Sequence, residues 1–356
     1  MEMPDNKVDS DRSASEKTRI ADVANRANVS PATVSRVLNN PSIVRPELRT
    51  KVLQAIAELS YTRDSAARAL KSRRTGTIGI VVPTLNISIF AEGVEALQNR
   101  LREHGYTLLI SNAQYDSERE MQDVQILLER GVDGLVLVGD SHRPELYARI
   151  RKSGVPFVTT YVSMASEGVP AVGIDNERAT YDMARYLLTL GHRDFGLIAN
   201  VPSANDRSRA RLDGALRALR DAGITLEDDR IIKADHSLAQ GRYGLRRLIE
   251  SCPEITAIIC TTDTLAIGAL TEARAIGLNV PKALSITGFD DIELSAQIEP
   301  ALTTVSVPAA EIARAAADHL INALAGLPIP EVTPMPYRLI MRGSTGAPRG
   351  IRSAPR

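Results

Sequence analysis

The sequence predicts an all-α helix-turn-helix head followed by an α/β body of two doubly wound parallel sheets. Short helical patterns fill residues 18–62, and the pattern changes abruptly at Thr77. From there, apolar runs of strand length alternate with amphipathic segments of helix length, which is typical of parallel sheets covered by helices.

Charge is distributed unevenly along the 356 residues, although 43 basic side chains balance 43 acidic ones overall. Residues 17–76 carry 12 basic and 4 acidic side chains, whereas residues 77–356 carry 29 basic and 34 acidic. A compact basic module before a mildly acidic body indicates a head that binds a polyanion such as nucleic acid. Charge alone leaves open the alternative of an ordinary solvated helical face.

The N-terminal residues 1–17 are polar and predict a disordered tail without the apolar stretch of a signal peptide. No apolar run approaches the roughly 20 residues that a membrane span needs. The two cysteines, Cys252 and Cys260, do not suggest a disulfide framework, so a reducing compartment fits. We expect a cytoplasmic protein.

Residues 19–39 have the pattern of two short helices joined by a tight turn. Ser30 is a good N-cap for the second helix, and Pro31 suits its first position, where a missing N–H costs nothing. In a helix-turn-helix this second helix enters the major groove. Its outward positions are small or polar, which suits close approach to DNA: Ala32, Thr33, Ser35, Arg36 and Asn39.

These segments resemble the head of the LacI–GalR family of bacterial transcriptional regulators. The matching runs are DVA at Asp22–Ala24, VSPATVSRVLN at Val29–Asn39, KVLQAIAELSY at Lys51–Tyr61 and ARAL at Ala67–Leu70. The resemblance implies contact with base edges for Pro31, Ala32 and Arg36, and contact with phosphates for Ser30, Thr33, Ser35 and Asn39. Arginine can pair with guanine in a bidentate manner, which would make Arg36 the main reader of sequence.

Residues 63–76 are interpreted as a hinge helix and linker. The resemblance places Leu70 where family members insert a leucine into the minor groove, which kinks the duplex, and groups Ala67 with it as a DNA contact. Arg63 and Asp64 stand where the family usually has Pro-Asn. Asp64 can still cap the helix, but the loss of the proline leaves its entry less restricted.

The resemblance continues through the body, for example over TIGIVVPTL at Thr77–Leu85 and LSITGFDD at Leu284–Asp291. It implies two subdomains resembling periplasmic sugar-binding proteins, with a ligand cleft between them. The expected domains are an effector-binding domain at 77–345 and a tail at 346–356. Its N-subdomain comprises about 77–175 and 306–336, and its C-subdomain about 176–305 and 337–345.

Ligands of open α/β sheets bind beyond the carboxyl ends of the strands. The residues expected there are Phe90, Asp140, Arg211, His236, Thr262 and Asp290. The resemblance implies that Arg211 and Asp290 bind ligand hydroxyls or anionic groups, and that Phe90 and His236 each provide a ring that packs against the ligand. Thr262 stands where sugar-binding members commonly have Asn, and Asp263 is expected to cap the following helix rather than contact ligand.

The pocket residues favour a sugar or sugar acid as effector, with a purine or another non-sugar as the alternative. No nucleophile elbow, Walker A loop, dinucleotide fingerprint or zinc motif is present, so we predict neither an enzyme nor a cofactor or metal. A nucleotide-dependent enzyme remains the alternative outside regulation, and a transport protein would lack the basic head. We expect a homodimeric repressor on a pseudo-palindromic operator, with an activator or a co-repressor-dependent regulator as alternatives.

Overall fold

A computed structural model of the chain describes residues 18–62, 74–164, 166–200 and 205–348. The chain divides into two compact units, Met1–Arg73 and Arg74–Arg356. The predicted hinge contacts Ala67 and Leu70 lie outside the described residues. No helix within the described ranges has both the length and the apolar character that crossing a bilayer requires.

The first unit contains three α-helices in its described part: α1 (Ile20–Ala27), α2 (Pro31–Asn39) and α3 (Pro46–Glu58). Asn28 adopts a left-handed conformation (φ 52°) that ends α1 and turns the chain towards α2. Ser30 Oγ accepts the N–H of Thr33 at 3.1 Å, so α2 begins at Pro31 as predicted. Apolar side chains of all three helices pack into one small core: Val23, Ala24, Ala27, Val34, Val37, Val52 and Ala55.

The second unit contains a six-stranded sheet in the order β11-β5-β4-β3-β1-β2, whose strand pairs are all parallel. Its strands are β1 (Thr77–Val82), β2 (Thr107–Asn112), β3 (Gly134–Val138), β4 (Phe157–Thr160), β5 (Ala171–Gly173) and β11 (Val332–Pro334). The accompanying helices are α4 (Ser88–Glu103), α5 (Ser117–Glu129), α6 (Pro144–Ser153) and α12 (Ala309–Leu324).

A second parallel sheet of four strands has the order β7-β6-β8-β9. Its strands are β6 (Phe195–Ala199), β7 (Ile231–Lys233), β8 (Ala257–Cys260) and β9 (Ser285–Thr287). The helices around it are α7 (Asn176–Thr189), α8 (Asp206–Asp221), α9 (Leu238–Ser251), α10 (Asp263–Ala275) and α11 (Glu293–Gln297). The two doubly wound sheets confirm the predicted fold class, and we refer to them with their helices as the N-subdomain and the C-subdomain.

The chain passes between the two sheets more than once. It leaves β5 for α7, and it returns through β10 (Thr304–Ser306) to α12. A last strand, β12 (Arg338–Ile340), pairs antiparallel with β10. These crossings lie beside the carboxyl ends of β4 and β9, which is the region where we expect a ligand to bind.

The start of the second unit is tied to the N-subdomain by a carboxylate. Asp133 Oδ1 accepts the N–H of Thr75 at 3.0 Å, and Asp133 Oδ2 accepts the N–H of Gly76 at 2.7 Å. Gly76 has a φ of 72°, in the left-handed region that glycine adopts without strain. The Arg74 guanidinium donates to the Leu324 carbonyl at the end of α12.

The expectation that Asp263 caps α10 is wrong by one residue. Thr262 is the N-cap, and its Oγ1 accepts the N–H of Leu265 at 3.4 Å. The fully buried Asp263 carboxylate instead accepts three hydrogen bonds from the segment after β9 and from β10. Its donors are Ile292 N–H at 2.9 Å, Ser295 Oγ at 2.7 Å and Thr304 Oγ1 at 2.5 Å.

Replacing Asp263 with Ala should destabilise the body strongly. The change leaves three donors without their acceptor, and each unsatisfied buried group costs about 1–3 kcal/mol. Urea titration should therefore show a loss of unfolding free energy of about 3 kcal/mol or more. Asp213→Ala, which removes an exposed carboxylate from α8, is the control and should change stability by less than about 0.5 kcal/mol; equal losses in both variants would contradict this role.

Candidate functional site

The outward face of α2 combines small and polar side chains on a rigid support. Pro31, Ala32, Arg36 and Asn39 are exposed, and Thr33 and Ser35 are partly exposed. On the opposite face, Val34 and Val37 are buried in the core of the head. The helix can therefore lie in a groove with these side chains facing the DNA, since its inner face alone holds it to the head.

Hydrogen bonds within α2 already orient several of these groups. Asn39 Nδ2 donates to the Ser35 carbonyl at 2.8 Å, and the hydroxyls of Ser30 and Thr33 are 3.0 Å apart. Ser30 is exposed at the N-terminus of the helix, where unpaired backbone N–H groups favour anions such as phosphates. Arg36 forms no ion pair with the residues that the structure describes, so its guanidinium is available to a partner.

A second candidate site lies between the two subdomains of the body, in a narrow cleft with a cavity volume of about 30 Å³. The structure brings five of the six predicted effector residues into it: Phe90, Arg211, His236, Thr262 and Asp290. Sequence reasoning did not single out the other lining residues, which are Ile87, Ile89, Tyr115, Tyr161, Asn200, Asn205, Arg207 and Ser208. Tyr161 and Asn200 directly follow β4 and β6. The rule that ligands bind beyond the carboxyl ends of strands, called the strand-end rule below, could therefore have found them.

Asp140, the sixth predicted residue, does not line the cleft. Its Oδ1 accepts the Tyr147 hydroxyl at 2.7 Å, and its Oδ2 accepts the N–H and the hydroxyl of Ser166 at 2.9 and 3.0 Å. These contacts all lie within the N-subdomain. Its carboxylate is therefore occupied in holding the segment after β4.

Arg211 is the most extensively bonded side chain of the cleft. Its Nε donates to Asn176 Oδ1 at 3.0 Å, and its Nη1 donates to the Thr261 carbonyl at 2.9 Å. The same Nη1 is 3.1 Å from Asp290 Oδ1, and the guanidinium lies over the Phe289 ring at 3.7 Å from its centroid. These contacts hold the charged group in one orientation inside the cleft.

Asp290 has an unusual backbone and a perturbed carboxyl group. Its φ of 120° is a strained conformation for a residue with a side chain, and such strain concentrates at functional sites. Its N–H donates to the Val305 carbonyl at 2.9 Å, which connects it to β10. Burial raises the pKa of Asp290 to about 7, although Arg211 opposes the rise, and burial lowers the pKa of Arg211.

Aromatic rings form the N-subdomain side of the cleft. Phe90 and Tyr161 pack edge to face with centroids 5.4 Å apart, and the Tyr161 hydroxyl donates to the Ile89 carbonyl at 3.1 Å. A Cβ at Gly93 would stand 2.3 Å from the Tyr161 oxygen, so this arrangement needs glycine there. On the opposite side, burial lowers the pKa of His236, whose Nε2 has no hydrogen-bond partner among the described residues.

The titration of Asp290 should make stability depend on pH. The pKa of Asp290 in the folded chain is about 7, above the ordinary value of about 3.9. At a pH between these two values, the folded chain holds the proton whereas the unfolded chain has released it. The contribution to stability is therefore complete below about pH 4 and declines as pH rises to 7, by up to about 1.4 kcal/mol per pH unit.

Asp290→Asn removes this titration and should remove the slope. Urea titrations of both proteins from pH 5 to 7 test this, because other titrating groups cancel in the difference between their unfolding free energies. A difference that stays constant over this range would contradict the assigned pKa.

Two family descriptions match the chain. "Bacterial regulatory proteins, lacI family" matches residues 19–64, and "Periplasmic binding proteins and sugar binding domain of LacI family" matches residues 75–342. The second match alone spans more than half of the chain. The boundary between the two matches falls in the segment that was interpreted as hinge and linker.

Several relatives are similar over nearly their whole length. Catabolite control protein A of Priestia megaterium is 31% identical over 327 residues, which cover 92% of this chain and 98% of that protein. The HTH-type transcriptional repressor CytR of Escherichia coli K12 is 33% identical, with coverages of 92% and 96%. The HTH-type transcriptional regulator MalR of Streptomyces coelicolor is 33% identical, with coverages of 95% and 99%.

The solved structures agree with this assignment. A lac repressor dimer bound to operator and the anti-inducer ONPF superposes with a TM-score of 0.83 at 26% identity, and covers 93% of this chain and 100% of that one. A LacI-family regulator from Silicibacter pomeroyi also gives 0.83, with coverages of 92% and 99%. The family resemblance is thereby confirmed over head and body, and the chain belongs to the LacI family of bacterial regulatory proteins, as a DNA-binding transcriptional regulator with an effector-binding domain.

Proposed function

We propose that the chain represses transcription as a homodimer on a pseudo-palindromic operator, and that a sugar or sugar acid in the cleft controls this binding. The protein would act in the cytoplasm, associated with the nucleoid while it is bound to DNA. The Arg211–Asp290 pair in the cleft is the observation that carries the effector part of the proposal, and the exposed face of α2 carries the operator part.

The operator part assigns different tasks to the residues of α2. Arg36 would pair with a guanine, while Pro31 and Ala32 would make apolar contacts with base edges. Ser30, Thr33, Ser35 and Asn39 would contact phosphates, which position the helix without reading sequence. Leu70 would insert into the minor groove at the centre of the site, with Ala67 beside it. The similar lac repressor, which was solved as a dimer bound to operator, supports a dimer on operator DNA.

The effector part follows from the chemistry of the cleft. A fixed guanidinium donor beside a carboxylate acceptor suits a ligand with several hydroxyl groups, and the guanidinium can also pair with a ligand carboxylate. Phe90 and Tyr161 supply an apolar surface on the other side. A solved relative with 27% identity and a TM-score of 0.69 is described as a transcriptional regulator CelR–cellobiose complex, which supports a carbohydrate ligand.

A planar non-sugar effector, such as a purine, is the second candidate. The rings of Phe90, Tyr115 and Tyr161 all line the cleft, and aromatic faces favour planar ligands. This candidate would also be compatible with a co-repressor, whose binding strengthens operator binding, or with an activator.

Control requires that the effector binds one conformation of the body more tightly than the other. A ligand that contacts both subdomains would favour one relative position of the two sheets. The segment 63–76, interpreted as hinge and linker, leads directly into β1 of the N-subdomain sheet. A change of cleft geometry would therefore alter how two hinges pair on the operator.

Arg36→Ala should relax base preference at one operator position. Loss of a bidentate contact with guanine removes about 1–3 kcal/mol of discrimination at that base pair. Competition binding against operators that vary at single positions measures this preference. Arg49→Ala, which removes an exposed charge from α3, is the control and should weaken binding to all sequences alike. The same uniform loss for Arg36→Ala would show that Arg36 contacts a phosphate and not a base.

A thermal-shift screen against sugars, sugar acids, sugar phosphates and purines tests the effector class. A ligand at 100-fold excess over its Kd stabilises the folded state by about 2.7 kcal/mol. Stabilisation by a sugar or sugar acid that Asp290→Ala abolishes is the expected result. Stabilisation by purines alone would overturn the sugar proposal in favour of the second candidate.

A further inference from the structure

Two neighbouring side chains of the C-subdomain reach across the cleft to the backbone of the N-subdomain. Asp206 and Arg207 are the first residues of α8. Asp206 Oδ2 accepts the N–H of Asp140 at 2.7 Å, and Arg207 Nη1 donates to the Val138 carbonyl at 3.1 Å. Val138 is the last residue of β3 and Asp140 follows it by two residues, so α8 of one subdomain is bonded to the end of a strand of the other and to the turn after it.

The two side chains also form an ion pair, in which the guanidinium is shielded from solvent. Arg207 Nη1 is 2.8 Å from Asp206 Oδ1, and the Arg207 side chain is only 5% exposed. A carboxylate or guanidinium paired in this way forms stronger hydrogen bonds with backbone groups than a neutral side chain does. Little water competes for these bonds because the guanidinium is buried.

Residue 139 must be glycine for this contact to form. A Cβ there would stand 1.8 Å from Arg207 Nη1 and 2.6 Å from Asp206 Oδ1. Gly139 also has a φ of 90°, which a residue with a side chain rarely adopts. The absence of a side chain at Gly139, directly after β3 of the N-subdomain, therefore leaves the space that Asp206 and Arg207 of the C-subdomain occupy.

We propose that Asp206 and Arg207 form a latch between the subdomains that favours the closed cleft before an effector binds. The latch needs no ligand atom, because its partners in the N-subdomain are two backbone groups, the Val138 carbonyl at the end of β3 and the Asp140 N–H just after it. Opening the cleft would expose a buried guanidinium and return Asp140 N–H and the Val138 carbonyl to water. The latch thus sets the balance between open and closed conformations of the empty protein.

This balance would tune the response to the effector, a consequence that rests on the function proposed above. The apparent affinity of a ligand is its intrinsic affinity multiplied by the fraction of protein in the binding-competent conformation. Arg207 also lines the cleft, whereas Asp206 does not. Asp206 is therefore a positioning residue, and its substitution changes the latch without removing a side chain that lines the cleft.

Hydrogen exchange at the Asp140 amide tests the latch directly in the full chain without ligand. Asp206→Ala removes the acceptor of this N–H, and its exchange should become at least tenfold faster. The amides of Val136 and Leu197, within β3 and β6, should keep their protection, which separates opening of the cleft from general unfolding. Asp213→Ala, on the same helix with an exposed carboxylate, should leave all these rates unchanged.

Equal exchange of Asp140 N–H in the wild-type protein and in Asp206→Ala would overturn the latch. If Asp206→Ala does not fold, Asp206→Asn replaces it, since the amide oxygen can still accept the N–H but without charge. That variant should give an intermediate rate, and a wild-type rate would overturn the proposal equally.

A distance measurement adds a readout that a merely local role would not change. Spin labels at Glu145→Cys and Asp221→Cys would report the separation of α6 and α8, because both positions are exposed and both native cysteines are buried. Asp206→Ala should shift the distance distribution of the empty protein to longer values, and an unchanged distribution would contradict the latch. Neither experiment uses a ligand, so failure of the sugar proposal would leave both results valid.

Discussion

The buried ion pair between Arg211 and Asp290 is the contact on which the effector cleft depends. Both side chains are less than one-tenth exposed, and burying two charges costs several kcal/mol unless each finds further hydrogen bonds. Asn176 and the Thr261 carbonyl supply those bonds to Arg211. The pair is therefore held by residues at the ends of strands and helices, which keeps its polar groups in one orientation inside the cleft.

The same pair lies next to the crossings between the subdomains. The Asp290 N–H donates to the Val305 carbonyl in β10, and β10 leads into α12. The carbonyl of the last residue of α12 accepts a hydrogen bond from the Arg74 guanidinium at the start of the body. A helix of 16 residues is about 24 Å long, so one rigid element connects the region of the cleft with the exit of the linker. A displacement of β10 thus has a physical route towards the hinge.

Local chemistry explains what the sequence could predict. Ser30 and Pro31 specify the start of α2 through their own backbone, and the alternation of apolar runs and amphipathic segments specifies parallel sheets. The strand-end rule placed Arg211 and Asp290 together because carboxyl ends of parallel strands share one edge. These predictions needed no knowledge of which elements pack against each other.

The predictions that failed depended on contacts between distant segments. Asp140 follows β3 as expected, yet the Tyr147 hydroxyl and Ser166 occupy its carboxylate. Asp263 was displaced from the cap because donors from two other segments surround it in the fold. Arg207 was overlooked because its position depends on the space left by Gly139 in the other subdomain.

Operator binding measured with and without effector tests the central claim most directly. Fluorescence anisotropy with labelled operator DNA, with and without a saturating sugar from the screen, gives the coupling between the two sites. The account predicts that the effector changes operator affinity by about 5- to 150-fold, and that operator changes effector affinity by the same factor. An operator affinity that is identical with and without bound effector would contradict it.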